Sequence, residues 1–219
     1  EAAKDPGAHY RFGYKIRARA LSNTQPLVGF RIDGPRGLPI EGWWYLNKIH
    51  PDMFYSAGTR DITWNLERGG HQIRGTRTIY SQAKKDETQP FKPIFVGEHV
   101  PELRNLRYIG VDTSYFNVSL LPVDYSSGGT MRFNAATPIA ATDTEALSKK
   151  EVKLCDTSFW LATEPVKLTD VKGDKWSYVQ EFVVFAGPKR QDVLETFGLQ
   201  ENIYYGWFGW VAKPLSVLL

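Results

Sequence analysis

The sequence is poor in the residues that build most catalytic and redox centres. Cys155 is its only cysteine, so no disulfide can form within the chain. The chain has four histidines, which lie far apart in the sequence: His9, His50, His71 and His99. None of them has a second metal ligand at the usual spacing, and the motifs HExxH, CxxC and Gly-x-Ser-x-Gly do not occur. The sequence therefore predicts no catalytic residue, no metal site and no cofactor, and it favours Cys155 as a buried structural thiol.

Charge of one sign and long apolar runs are also scarce. The 27 basic residues nearly balance the 24 acidic ones, and a net charge of +3 implies no strong field for nucleic acid. No apolar run is long enough to cross a bilayer, and no signal-peptide pattern is present. Hydrophobic residues make up 42% of the chain and charged residues 23%, which is the composition of a folded globular domain.

Aromatic residues make up 14% of the sequence, and this excess favours strands over helices. Alternating apolar and basic residues at 9–21 predict a half-buried antiparallel strand, and residues 27–32 predict the strand that returns beside it. Residues 60–66 predict another strand, with Ile62, Trp64 and Leu66 facing inward and residues 72–80 as its partner. The longest apolar strand signal covers residues 106–123. Strands separated by Gly- and Pro-rich turns indicate an all-β sandwich rather than βαβ units.

Turn and helix signals are clearest in the last third of the chain. Gly173-Asp174 predicts a hairpin between two strands. Pro188 is placed like the first residue of a short helix, Val193, Leu194 and Phe197 form its apolar face, and Gly198 is placed to end it.

Residues 201–219 form the most unusual stretch. At helical spacing, one face carries almost only apolar and aromatic side chains: Ile203, Tyr204, Trp207, Phe208, Val211 and Leu215, widened by Trp210. Amphipathic rings beside a lysine are typical of a segment at the membrane interface. The apolar run that begins at Val217 predicts a membrane span just beyond the chain. A C-terminal helix docked on a soluble core explains the same pattern, and the sequence leaves both interpretations open.

From about residue 182 the sequence contains a strand that ends in Gly187-Pro188-Lys189, a short helix, and an aromatic segment at residues 204–219. This series of motifs resembles the end of the large periplasmic domain of YidC-type membrane protein insertases. Residues 108–122 resemble the family's strand before a Leu-Pro turn, and residues 14–27 show a weaker similarity.

This resemblance implies an antiparallel β-supersandwich, similar to that of sugar mutarotases, with short C-terminal helices. Residues 1–187 would form the sandwich, and residues 188–219 would form a connecting helix and an amphipathic helix that leads to a transmembrane segment. The chain is short at its N-terminal side relative to enterobacterial members, so strands of the sandwich are expected to be absent or to lie upstream of Glu1.

The resemblance also implies a function. The family inserts and folds inner-membrane proteins as a chaperone, alone or with the Sec translocon, and uses no cofactor. Its implied partners are the membrane surface, SecD/SecF, SecYEG and nascent membrane proteins, with no nucleic acid. This domain would lie on the periplasmic side of the bacterial inner membrane. The family's essential membrane-embedded arginine has no counterpart in these 219 residues.

The predicted membrane-interface or partner surface consists of eight residues in the C-terminal segment: Tyr204, Tyr205, Trp207, Phe208, Trp210, Val211, Pro214 and Leu215. Pro214 would permit a kink between the interfacial and spanning segments.

Two other functions compete with this interpretation. The aromatic run Trp43-Trp44-Tyr45 suggests a carbohydrate-binding or mutarotase-like sandwich, which would need one of His50, His71 or His99 to meet a carboxylate in a cleft. A peptide-binding strand edge or groove that holds an emerging polypeptide is the third possibility.

Overall fold

The structure is a computed structural model. It describes residues 5–21, 27–39, 59–66, 69–85, 92–96, 106–123, 133–143, 145, 147, 152, 154–171 and 174–203.

The described strands form two antiparallel sheets and one short ladder. The larger sheet has seven strands, in the order β1 (Arg11–Arg19), β13 (Asp174–Pro188), β8 (Phe116–Pro122), β7 (Leu106–Asp112), β4 (Asp61–Leu66) and β5 (Gly70–Arg74), with β12 (Thr169–Val171) also paired to β13. The smaller sheet has four, in the order β3 (Arg31–Asp33), β10 (Thr157–Thr163), β9 (Phe133–Ala140) and β6 (Phe95–Val96). The ladder joins β2 (Leu27–Val28) to β11 (Val166–Lys167).

The helical elements in the described part of the chain are short. Two of them are α-helices, Thr76–Lys85 and Gln191–Glu195. Two are 3-10 turns, Ala8–Tyr10 and Gln200–Asn202. No helix in the described ranges is long and apolar enough to cross a membrane.

The main core lies between the two sheets. We call the side of the larger sheet that meets the smaller sheet its inner face, and the opposite side its outer face. Ile62, Ile109 and Phe182 from the larger sheet pack with Phe133 and Phe159 from the smaller one, and all five are essentially inaccessible to solvent. Two antiparallel sheets around one apolar layer confirm the predicted all-β sandwich.

Side-chain alternation places the predicted residues correctly in β4. Ile62, Trp64 and Leu66 point into the core, as the period of two requires. Cys155 is also buried, which confirms the structural thiol, and burial raises its pKa to about 11.

Three strand predictions need correction. Residues 72–80 do not continue as a strand, because β5 ends at Arg74 and the Thr76–Lys85 helix follows. Residues 106–123 form the hairpin β7–β8 instead of one strand, because Thr113 accepts a hydrogen bond from the Phe116 amide and reverses the chain. Residues 27–32 do not return beside β1. Leu27–Val28 pair with β11 in the short ladder, and Arg31–Asp33 pair with β10 in the smaller sheet.

Two turn predictions have different outcomes. The predicted hairpin is confirmed in that β12 pairs with β13, with Val171 opposite Asp174, whereas Gly173 lies outside the described residues. Pro188 is not the first residue of a helix. It is the last residue of β13, paired with Phe116, and the next helix begins at Gln191.

Candidate functional site

The segment that follows β13 is docked on the outer face of the larger sheet. Val193, Leu194 and Leu199 are completely buried there, against Tyr108 of β7 and Phe185 of β13. The Phe185 ring also packs on Phe197, with ring centroids 4.9 Å apart. This second apolar cluster, which we call the docking cluster, holds residues 191–203 to the sandwich and extends to Ile203, the last residue before 204–219.

The helix within this segment ends where the sequence predicts. Gly198 has φ of +67°, a left-handed conformation that favours glycine. The amides of Gly198 and Leu199 then donate to the carbonyls of Glu195 and Leu194, at 3.2 and 2.9 Å. This turn reverses the chain and places Leu199 on the sheet beside Val193 and Leu194. The residues before and after the turn therefore belong to one buried contact.

A buried ion pair lies at the start of the docked segment. The Lys189 Nζ donates to Asp112 Oδ2 at 2.7 Å and to the Thr113 carbonyl at 3.1 Å. Asn117 donates from Nδ2 to the other oxygen of Asp112 at 3.0 Å, and Ser119 donates to the Asn117 carbonyl oxygen at 2.6 Å. This network joins the end of β13 to the β7–β8 hairpin.

The electrostatics of this pair are set by opposing effects. Burial raises the pKa of Asp112 from 3.8 to about 6, against the lowering effect of the Lys189 charge and of the hydrogen bonds from Lys189 and Asn117.

A second polar cluster lies on the same face, beside the end of the docked segment. His71 Nδ1 lies 2.7 Å from the hydroxyl of Tyr108. Asn65, between them across β4, donates to the Glu201 carboxylate at 2.6 Å. Burial lowers the pKa of His71, partly offset by the charge of Glu201, and burial raises the pKa of Tyr108 above its usual value.

A cavity of about 480 Å³ opens between the two sheets, away from the docked segment. Its walls come from both sheets and are mostly apolar: Phe12, Tyr14, Val118, Leu120 and Val184 on one side, and Ile32, Gly34, Pro35 and Phe159 on the other, with Arg31, Asp33 and Ser119. No histidine or glutamate lines it among the described residues.

The mutarotase-like alternative gains no support from the described residues. His71 does approach a carboxylate, that of Glu201, but both belong to the outer face and neither lines the cavity. Within the described ranges, no group of three His, Cys, Asp or Glu side chains is placed to hold a metal ion. His50, His99 and the run Trp43-Trp44-Tyr45 lie outside the described residues.

The predicted membrane-interface surface also lies outside the described residues. This holds for all eight of its members: Tyr204, Tyr205, Trp207, Phe208, Trp210, Val211, Pro214 and Leu215. The structure describes the chain up to Ile203, which is half-buried against the docking cluster.

Sequence reasoning missed the residues that attach this segment. The sequence marks Lys189 only as part of a Gly-Pro-Lys motif, and its partner Asp112 lies 77 residues earlier. The only signal in the sequence was the apolar spacing of Val193, Leu194 and Phe197, which indicated a helix face but not the surface that covers it.

The fold and the docked segment define a β-sandwich domain that holds residues 189–203 on one face of its larger sheet. The family model described as "YidC periplasmic domain" matches residues 80–218, more than half of the chain. The chain therefore belongs to the YidC periplasmic domain family and is a periplasmic domain of a YidC-type membrane protein insertase. This is not a family of enzymes. No curated protein matches the chain.

Proposed function

We propose that this domain is a non-catalytic support for an insertase that inserts and folds proteins of the bacterial inner membrane, alone or with the Sec translocon. The sandwich fixes the point from which residues 204–219 depart. That segment seats at the bilayer surface and orients the transmembrane helix that follows it.

The observation that carries this proposal is the continuous attachment from Lys189 to Ile203. An ion pair anchors its start, and three fully buried side chains, Val193, Leu194 and Leu199, hold its middle. Burying aliphatic side chains of this size stabilises such a contact by about 1.5–3 kcal/mol each. A segment held in this way fixes the position of Ile203 on the sandwich, whereas a free linker would leave that position variable.

The composition of residues 204–219 supports the membrane role. Its proposed interface residues are Tyr204, Tyr205, Trp207, Phe208, Trp210, Val211, Pro214 and Leu215. Tyrosine and tryptophan favour the headgroup level because one part of each ring is apolar and another part forms hydrogen bonds. The proposed partners beyond the membrane surface are SecD/SecF, SecYEG and nascent membrane proteins.

Flotation with anionic vesicles tests the proposal. The full chain is compared with a version that ends at Ile203, so that the docking cluster is retained. We expect the full chain to float and the shortened chain to stay in the dense fraction. In the full chain, the pair Trp207→Ala and Trp210→Ala should weaken binding, whereas Tyr115→Ala, at a ring that is 67% exposed on the sandwich, should not.

The opposite result is equally informative. If neither version floats, the aromatic segment does not bind the bilayer, and the domain acts through protein partners. An insertion assay with the two Trp variants gives a second readout, and unimpaired insertion would contradict the proposed role.

A further inference from the structure

The first strand of the larger sheet has an unusually long edge. β1 has nine residues and pairs with β13 along its whole length, from Arg11 with Phe185 to Arg19 with Ser177. Among the described strands, none pairs with the other side of β1. A strand edge presents backbone N–H and C=O groups that an added strand can pair with.

The inner face of β1 continues into the cavity. Phe12 and Tyr14 point to this side and line the cavity wall with Val184, the cross-strand neighbour of Phe12. They are nevertheless 57% and 41% exposed, because the smaller sheet does not extend over them. Large rings at such exposure on a sheet face mark a surface suited to contact another molecule.

The uncovered apolar surface extends across two further strands. Phe116 of β8 is 43% exposed, and the neighbouring Val118 and Ala186 on the same face are also accessible. The register places Phe116 beside Pro188 and Val118 beside Ala186. The apolar surface therefore reaches from the β1 edge to the β7–β8 hairpin.

The opposite face of β1 is basic. Arg11, Lys15, Arg17 and Arg19 alternate with the inward residues. Arg11 contacts Asp5, and Lys15 contacts Glu181 of the paired strand, so acidic groups already recognise this row within the chain. The same row would favour acidic side chains on a strand added next to it.

We propose that β1 binds an extended polypeptide segment that adds to the larger sheet as a further antiparallel or parallel strand. Alternate residues of this segment are apolar and contact Phe12, Tyr14 and the cavity, and those between them are acidic and face the basic row. A polypeptide fits where an acyl chain does not, because only a polypeptide satisfies the backbone groups of the edge. The inference rests on the proposed function in one respect: the polypeptide that binds is a segment of an emerging client protein.

The edge at the other end of the sheet is less suited to this role. β5 has five residues, begins at Gly70, and uses His71 in the cluster with Tyr108. It does not line the cavity. β5 nevertheless provides a matched control, because Ile73 is 56% exposed, nearly the same as Phe12.

The test is fluorescence anisotropy with the full chain, without vesicles. The probe is a fluorescein-labelled peptide of the same length as β1, in which glutamate alternates with phenylalanine or valine. Two matched peptides accompany it: one with N-methyl groups on alternate amides, which removes backbone donors, and one with lysine in place of glutamate. We expect saturable binding of the first peptide and at least about tenfold weaker binding of the other two.

Two variants locate the site. Phe12→Ala should weaken binding about tenfold, whereas Ile73→Ala should change it by less than about twofold. Thermal unfolding of each variant checks the fold. If Phe12→Ala does not fold, the three peptides on the unaltered chain still decide the question.

Three results would overturn the inference. Equal binding of the N-methylated peptide would mean apolar adsorption instead of strand addition. Equal effects of Phe12→Ala and Ile73→Ala would remove the site from β1. Self-association of the chain that is lost in Phe12→Ala, measured by sedimentation, would make a second copy the occupant. None of these results depends on membrane binding, so this inference and the proposed function fail separately.

Discussion

Lys189 forms a buried ion pair with Asp112, with Nζ 2.7 Å from Oδ2 and only 10% and 11% of the two side chains exposed. This pair gives the Gly-Pro-Lys motif a structural meaning. Gly187 allows the ring of Tyr10 to lie against the backbone, since an added Cβ would lie 2.8 Å from Tyr10 Cγ. Pro188 ends the strand, and Lys189 locks its end to the β7–β8 hairpin. The motif therefore forms a fixed connection between the sandwich and the docked segment.

Replacing Lys189 should destabilise the domain strongly. Lys189→Met leaves the Asp112 carboxylate buried without its cation, which costs about 3 kcal/mol in the free energy of unfolding. Urea denaturation at pH 7 measures the change. Lys84→Met is the control, because Lys84 is 43% exposed and lies 4.0 Å from Glu145, and its effect should stay within about 0.5 kcal/mol. Equal effects would contradict the structural role of the buried pair.

The titration of Asp112 should lower the free energy of unfolding as pH rises. Its pKa is 3.8 in the unfolded chain and about 6 in the folded one, so the folded state binds the proton more tightly. The stabilising contribution is complete below about pH 4 and is lost as pH rises through 6, a change of about 3 kcal/mol.

The measurement for this prediction is urea denaturation across that pH range, for the unaltered chain and for Asp112→Asn. The difference between their free energies of unfolding should decline with rising pH. His71 acts in the opposite direction, since its lowered pKa costs stability as pH falls below 6.5, but it is present in both chains and cancels in the difference. A difference that does not vary with pH would show that Asp112 titrates normally.

Removing the hydroxyl of Tyr108 should weaken the outer-face cluster. Tyr108→Phe leaves His71 without the partner 2.7 Å from its Nδ1, and the expected cost is about 1 kcal/mol in the free energy of unfolding. Tyr14→Phe is the matched control on an exposed ring and should be neutral. Chemical denaturation compares the two, and a neutral Tyr108→Phe would mean that solvent replaces the lost hydrogen bond.

A cavity in the docking cluster should loosen the C-terminal segment. Leu194 is fully buried, so Leu194→Ala should cost about 3 kcal/mol. Hydrogen exchange should become faster at the amides of residues 191–203. Leu27→Ala, at a side chain that is 63% exposed, should change neither quantity appreciably. Protection at 191–203 that is unaltered in Leu194→Ala would show that the segment is held by other contacts.

A side chain at Gly110 should force β7 and β8 apart. A Cβ there would lie 2.6 Å from the Val118 carbonyl oxygen, a backbone atom that cannot move away cheaply. Gly110→Ala should therefore cost about 1–3 kcal/mol. Gly13→Ala meets nothing within 4 Å and should be neutral or slightly stabilising. Thermal denaturation separates the two, and similar melting temperatures would contradict the close approach of these strands.

Local patterns in the sequence were reliable where one face of a strand is buried. Ile62, Trp64 and Leu66 were placed in the core from alternation alone, and the hairpin at Gly173-Asp174 was placed from its turn residues. The same reasoning failed at residues 72–80, where Ile73 and Ile79 fit the period of two but the buried residues Thr76, Ile79 and Tyr80 follow the helical spacing. Ile79 packs in the core as part of the Thr76–Lys85 helix, so tertiary packing decides between the strand and the helix here.

The sequence by itself determined three local features. These are strands with apolar inner faces, a glycine that follows the Gln191–Glu195 helix, and an aromatic composition after Ile203. Only the tertiary structure decided which faces meet. The pairing of Lys189 with Asp112, the burial of Leu194 against Phe185, and the pairing of β3 with β10 all join positions far apart along the chain. Such contacts follow from the free energy of packing the whole domain, which no local window of sequence contains.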